Sequence, residues 1–174
     1  AAQVDRVESA AEAGSAGTGG VASEPGHVVR DLPVDECRLL QHGALAVLDT
    51  GLLQHGHDLI LKRMKRRHLR GDAVDLIARL RELRRDLAVG ADLIAGFPTE
   101  TDAHHAANLS IVRELKIVHG HIFPYSSREG TPAARMPQLR REIVKKRAAD
   151  LRAAVSMRRA AWLDSLTGQP HSVL

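Results

Sequence analysis

At 174 residues the chain is long enough for one domain with a sizeable core. Aromatic residues make up only 2%, so that core must be built from Leu, Ile, Val and Ala. A net charge of +4 favours an anionic partner, and the single cysteine, Cys37, excludes an intramolecular disulfide and any cluster or zinc site made of several cysteines of this chain. No signal peptide or membrane-spanning run is visible, and a cytoplasmic protein is expected. The first residue is Ala rather than Met, which suggests a fragment or a processed start.

Residues 1–26 are Ala, Gly, Ser and Glu with almost no bulky apolar residue, and read as flexible. The following stretch to residue 56 is ambiguous. His27–Leu32 suits a short strand, and Cys37–Leu48 suits a helix or a strand followed by the turn residues Asp49, Thr50 and Gly51. From Asp58 the pattern is clear. DLILKRMKRRHLR predicts a helix with Leu59, Ile60 and Met64 inward and a basic face of Lys62, Arg63, Lys65, Arg66, Arg67 and Arg70. Gly71 should end it, and Asp72 should cap a second helix, Ala73–Arg84, facing the core with Val74, Ile77, Leu80 and Leu83.

Leu87–Ala95 is an apolar run closed by Gly96 and Pro98, the pattern of a buried strand. Asp92 inside it needs a partner or a task, because a carboxylate in a buried strand is costly alone. Thr99–Asp102 offers capping oxygens to a helix, Ala103–Leu115, with Ala106, Leu109, Val112 and Leu115 inward. A second strand, Ile117–Tyr125, leads into the loop SSREGTPAARMPQ and a long basic helix, Leu139–Leu166. Strand, helix, strand predicts a parallel pair, so the loops 96–101 and 126–138 should open on one sheet edge.

Those loops carry the chemistry-bearing residues. Phe97, Phe123 and Tyr125, three of the four aromatics, sit at the two strand ends and suit stacking on a ligand. Arg128 and Arg135 can donate to a carboxylate or phosphate. His119 and His121 share one face of their strand, a metal-binding spacing in some barrel hydrolases, but no third and fourth ligand is marked. His104 and His105 are adjacent on a helix and diverge. The basic run Lys62–Arg70, with Arg140, Arg141, Lys145, Lys146 and Arg147, could track a phosphate backbone. No Walker or dinucleotide glycine loop and no nucleophile elbow is present.

The segments LLQHGHDLILKRMKRRH, GADLIAGFPTETD and HIFPYSSREGTPAARMPQ, in this order and spacing, closely resemble the radical S-adenosylmethionine methylthiotransferases. Within them the resemblance is strongest to the bacterial branch that thiomethylates threonylcarbamoyladenosine beside the tRNA anticodon. It covers about Gln54 to Ala154. The resemblance implies an α/β fold, the C-terminal part of an open (β/α)6 barrel with parallel strands. It divides the chain into a flexible or unfamiliar segment 1–50, a partial barrel 51–166, and a linker 167–174 toward an RNA-binding β domain.

It further implies that Gln54, Asp92, Ile94, Gly96, Phe97, Glu100, Phe123 and Tyr125 lie by S-adenosylmethionine. Arg66, Ser126, Arg128 and Thr131 would face the tRNA. The family's cluster motif Cys-x3-Cys-x2-Cys is absent, as are the cysteines of its N-terminal domain. No catalytic residue or metal ligand is therefore assigned in this chain, and the isolated chain is expected to be inactive. The complete enzyme would use S-adenosylmethionine and 4Fe-4S clusters, with tRNA and the N-terminal half as partners. His55 stands where Ser is usual, His57 where Asp is usual and Ser127 where Pro is usual. Two other readings compete: a non-catalytic RNA-binding remnant built on the basic helices, and a metal-dependent hydrolase using His119 and His121.

Overall fold

A computed structural model describes the backbone of residues 47–168 and the side chains of residues 53–168. The readings for the flexible start, for His27–Leu32 and for Cys37 lie outside the described residues, as does the end of the linker. The elements run β1 (Val47–Gln54), α1 (Asp58–Arg63), α2 (Arg70–Leu83), β2 (Ala88–Ala95), α3 (Asp102–Glu114), β3 (Ile117–Pro124), a 3-10 turn at Pro132–Arg135, and α4 (Arg141–Leu166). The fold is α/β with one parallel sheet in the order β1-β2-β3. Parallel pairing sends the loops after β2 and β3 out of the same edge.

Asp49, Thr50 and Gly51, expected as a turn, lie within β1. Thr50 pairs with Ala91 and Gln54 with Leu93, so the register breaks between them. Pairing with a buried neighbour strand overrides the turn propensity of Asp and Gly. A second irregularity lies in β3: Val89 faces Ile117, but the next residue, Gly90, faces His119. Val118 is the extra residue. It lets both Ile117 and Val118 be buried and then turns His119, His121 and Phe123 to the side that carries Asp92 and Ile94.

The core lies on the other side of the sheet. Leu53, Val89, Ala91, Leu93 and Ala95 pack there against Leu76, Ile77 and Leu80 of α2, Ile111 and Val112 of α3, and Ala148, Leu151 and Val155 of α4. Burying each Leu, Ile or Val contributes roughly 1.5–3 kcal/mol before entropy is charged against it. Leu83 is exposed rather than inward, because α2 ends there. Ala106 is also exposed, and Ile111 takes the core position instead.

The predicted helix 58–70 is in fact a six-residue helix followed by a loop. Its end is a Schellman motif: Arg66 N–H donates to Leu61 O, and Lys65 N–H to Lys62 O, with Lys65 in the left-handed region at φ 59°. Lys rather than Gly occupies that position, so the stop carries no glycine signal. Ile60 and Leu61 are the inward pair, while Leu59 is exposed. α2 then starts at Arg70, and Asp72 sits in its first turn, accepting from Leu69 N–H at 2.7 Å. Arg70 leaves the basic face altogether: its guanidinium donates to Gly56 O, Ala107 O and Ser110 Oγ.

Candidate functional site

Hydrogen bonds and close packing, some local and some between distant residues, shape the sheet edge. Thr101 caps α3 by accepting from His104 N–H at 3.3 Å, and His104 Nδ1 accepts from Thr101 N–H in return. Gly96 adopts φ 74°, where a Cβ would also press within 2.9 Å of Val144. Tyr125 N–H donates to Ala95 O at 2.8 Å, tying the second loop to the end of β2. Asn108, fully buried, accepts from Gly56 N–H and donates to Ile94 O, which fixes the β1 and β2 ends to α3.

The strand ends and loops held in this way open onto a cavity of about 750 Å³. Of the residues singled out from the sequence, Gln54, Arg66, Asp92, Ile94, Phe97, Phe123, Tyr125, Ser126, Arg128 and Thr131 all line it. The rings of Phe97 and Tyr125 meet edge to face, 5.3 Å apart. The Tyr125 hydroxyl is buried without a hydrogen-bond partner. Arg63, Lys65, Arg66 and Arg128 bring cations, and Asp92 contributes the one carboxylate of the lining. Asp92 Oδ1 lies 3.2 Å from His121 Nδ1, which answers the question its place in the strand raised.

Gly96 and Glu100 do not line the cavity. Glu100 is 4% exposed and lies behind the loop. Its Oε2 accepts from Gly96 N–H at 2.8 Å and Phe97 N–H at 3.1 Å, and its Oε1 accepts from Arg147 at 3.0 Å. Arg147, grouped by its sequence with the basic residues that could track a phosphate backbone, is only 5% exposed and also donates to Glu100 O and Asp102 Oδ1. His55 completes this cluster. Its Nδ1 accepts from His57 N–H, which leaves the proton on Nε2, 3.5 Å from Glu100 Oε2.

Burial lowers the pKa of His55 despite the pull of Glu100 the other way. Burial alone would raise the Glu100 carboxyl, but His55, Arg147 and the Phe97 N–H outweigh it and hold it below the usual carboxylate range. Glu100 therefore acts as an ionised brace that sets the shape of the loop.

Arg63 and Lys65, read from the sequence only as part of a phosphate-tracking basic run, also line the cavity with Met64 between them, as do Pro124, Pro132 and Ala133, which carried no sequence signal of a site. For the first three the available signal was the run KRMK, which reads as a continuous helix until the left-handed Lys65 breaks it. Arg63 donates to Thr99 Oγ1 at 2.6 Å, joining this segment to the loop after β2. Among the described residues no group of three or more His, Cys, Asp or Glu side chains is arranged to hold a metal ion. None of their helices is long and apolar enough to cross a membrane.

No family model matches the chain. Individual relatives do. The chain is 46% identical over 115 residues to the threonylcarbamoyladenosine tRNA methylthiotransferase MtaB of Rickettsia prowazekii (strain Madrid E), covering 66% of this chain and 26% of that protein. It is 42% identical over 123 residues to the tRNA-2-methylthio-N(6)-dimethylallyladenosine synthase of Maricaulis maris (strain MCS10), covering 70% of this chain and 27% of the relative. The protein of the same name from Paracoccus denitrificans (strain Pd 1222) is 35% identical over 155 residues, covering 87% of this chain and 34% of its own length. The chain thus spans about a quarter to a third of the curated relatives it matches. Over that segment the chain is homologous to the tRNA methylthiotransferases.

Proposed function

We propose that this chain is the cofactor-facing segment of a radical S-adenosylmethionine methylthiotransferase that modifies threonylcarbamoyladenosine next to the anticodon of tRNA, in the cytoplasm. The supporting observation is the convergence of Asp92, Phe97, Phe123, Tyr125, Arg66 and Arg128 on one cavity. In this reading residues 51–166 are the late part of a barrel, and the segment from 167 leads toward an RNA-binding domain.

The residues fit S-adenosylmethionine. Asp92 can accept from hydroxyl or ammonium groups, the aromatic rings can stack on a nucleobase, and Arg66 or Arg128 can pair with a carboxylate. The buried Tyr125 hydroxyl lacks a partner that a polar ligand atom would supply. When bound, that cofactor supplies a methyl group and a reducible sulfonium. The protein's own contribution is to orient it: Glu100 fixes the Gly96–Phe97 backbone, and the Tyr125 N–H to Ala95 O bond fixes the start of the loop after β3.

The residues do not fit a 4Fe-4S cluster. Such a cluster takes several thiolates, and Cys37 is the single cysteine of the chain. We therefore derive no step through it and expect no methylthiolation of tRNA by the chain alone, the missing half being the natural partner.

Equilibrium dialysis of the chain with S-adenosylmethionine tests the reading. Asp92→Ala and Arg128→Ala should each weaken binding about tenfold or more, the loss expected for a charge-assisted hydrogen bond. Absence of binding, or binding indifferent to both changes, would overturn it. Steeply salt-dependent tRNA binding without cofactor affinity would instead establish the RNA-binding remnant.

A further inference from the structure

On the open side of the sheet, β3 presents His119 and His121 two residues apart. Their Nε2 atoms lie 3.2 Å from each other. Two nitrogens bound to one tetrahedral ion at about 2.05 Å would lie about 3.3 Å apart. The rings meet at 75°, with centroids 4.9 Å apart, so their nitrogens converge without the rings stacking. The His121 side chain is 53% exposed, and an ion could reach the pair from solvent.

The far side of His121 is also set. Its Nδ1 lies 3.2 Å from Asp92 Oδ1, and an ionised Asp92 can only accept there. That contact places the imidazole proton on Nδ1 and leaves the Nε2 lone pair directed at His119. A carboxylate behind a metal-binding histidine fixes the tautomer and raises the basicity of the ring. Asp92 bonds the nitrogen remote from the proposed ion, so it buttresses the site and is not a third ligand.

We propose that His119 and His121 form a two-histidine site for a late divalent transition-metal ion, oriented by Asp92 and completed by solvent. Two imidazoles favour such ions over magnesium or calcium, and the order of affinities places Cu(II) at the top. This site lies on the sheet face beside the cavity and shares Asp92 with it, but its two ligands are outside the cavity lining and its test needs no cofactor.

The test is a titration of the tag-free chain with Cu(II) alone, followed by electron paramagnetic resonance and by competition with a chelator. The expected result is one site with nitrogen couplings, lost in His119→Ala and in His121→Ala. His121→Gln, which keeps a polar group at this exposed position, should lose it equally, so misfolding of one variant leaves the test decisive. Asp92→Asn should weaken affinity by about 10-fold to 100-fold. The other close ring pair, His57 and His104 at 4.3 Å, supplies the control. Loss of the site in His57→Ala, or retention of it in both His119 and His121 variants, would overturn the proposal.

Discussion

Replacing Glu100 with Gln should destabilise the chain by about 3 kcal/mol. The carboxylate serves two backbone N–H donors and one guanidinium, all in a region where it is 4% exposed. Breaking a buried ion pair from one side typically costs about 3–5 kcal/mol. Arg147 keeps the Glu100 carbonyl and Asp102 as partners, which places the loss at the lower end. Within that loss, about 1–3 kcal/mol comes from the new amide turning its NH2 toward either the loop donors or Arg147, which leaves one group unsatisfied. Urea unfolding followed by far-ultraviolet circular dichroism would show a lower midpoint at unchanged slope. Arg147→Met gives the second corner of a cycle, and the double variant should be at least about 1 kcal/mol better than the sum of the two. Additive losses, or a Glu100→Gln effect below about 0.5 kcal/mol, would show that the brace is not a coupled unit and refute the reasoning.

Two other outcomes follow from buried groups. Asn108→Ala removes both the acceptor of Gly56 N–H and the donor to Ile94 O, and should cost about 2–3 kcal/mol in a thermal melt. Stability should also fall on acidification, in two stages. His55 and His68 have pKa values lowered by burial, so below the ordinary histidine value of about 6.5 the unfolded chain takes up protons that the folded chain refuses. Glu100 and Asp150 lie below their ordinary values. Their contribution is full above the unfolded carboxylate value, about 4, and is lost as pH falls through the folded one. A melting temperature that rises between pH 7 and pH 5 would contradict this.

Much of the sheet edge was readable from local pattern. LAVGADLIA bounded by glycine gave a strand, the run Thr99–Asp102 gave capping oxygens, and the spacing of His119 and His121 gave a shared face. Asp92 was recognisable as needing a partner, though not that the partner would be His121, 29 positions on. What escaped the sequence was set at longer range or by rare backbone. Lys65 ends α1 in a conformation that usually announces itself as glycine. Glu100 read as a ligand-facing residue and Arg147 as one that could contact phosphate, because nothing local reveals that residues 47 positions apart neutralise each other in the interior. Asp49–Gly51 read as a turn for the same reason: the strand pairing that overrides it comes from elsewhere in the chain.

The bond between Glu100 and Arg147 also bears on how the protein is made. The loop after β2 takes its shape from a carboxylate whose cation, like the Val144 side chain against Gly96, belongs to the last helix. During synthesis every wall of the cavity is therefore present before the element that holds the Glu100 loop in place. Until α4 docks, β2 and β3 lack the cover of Ala148, Leu151 and Val155, and Glu100 is a charge with no counterion from α4. The order of the chain thus puts completion of the cavity after the synthesis of α4, and makes the nascent sheet dependent on whatever shields it in the meantime.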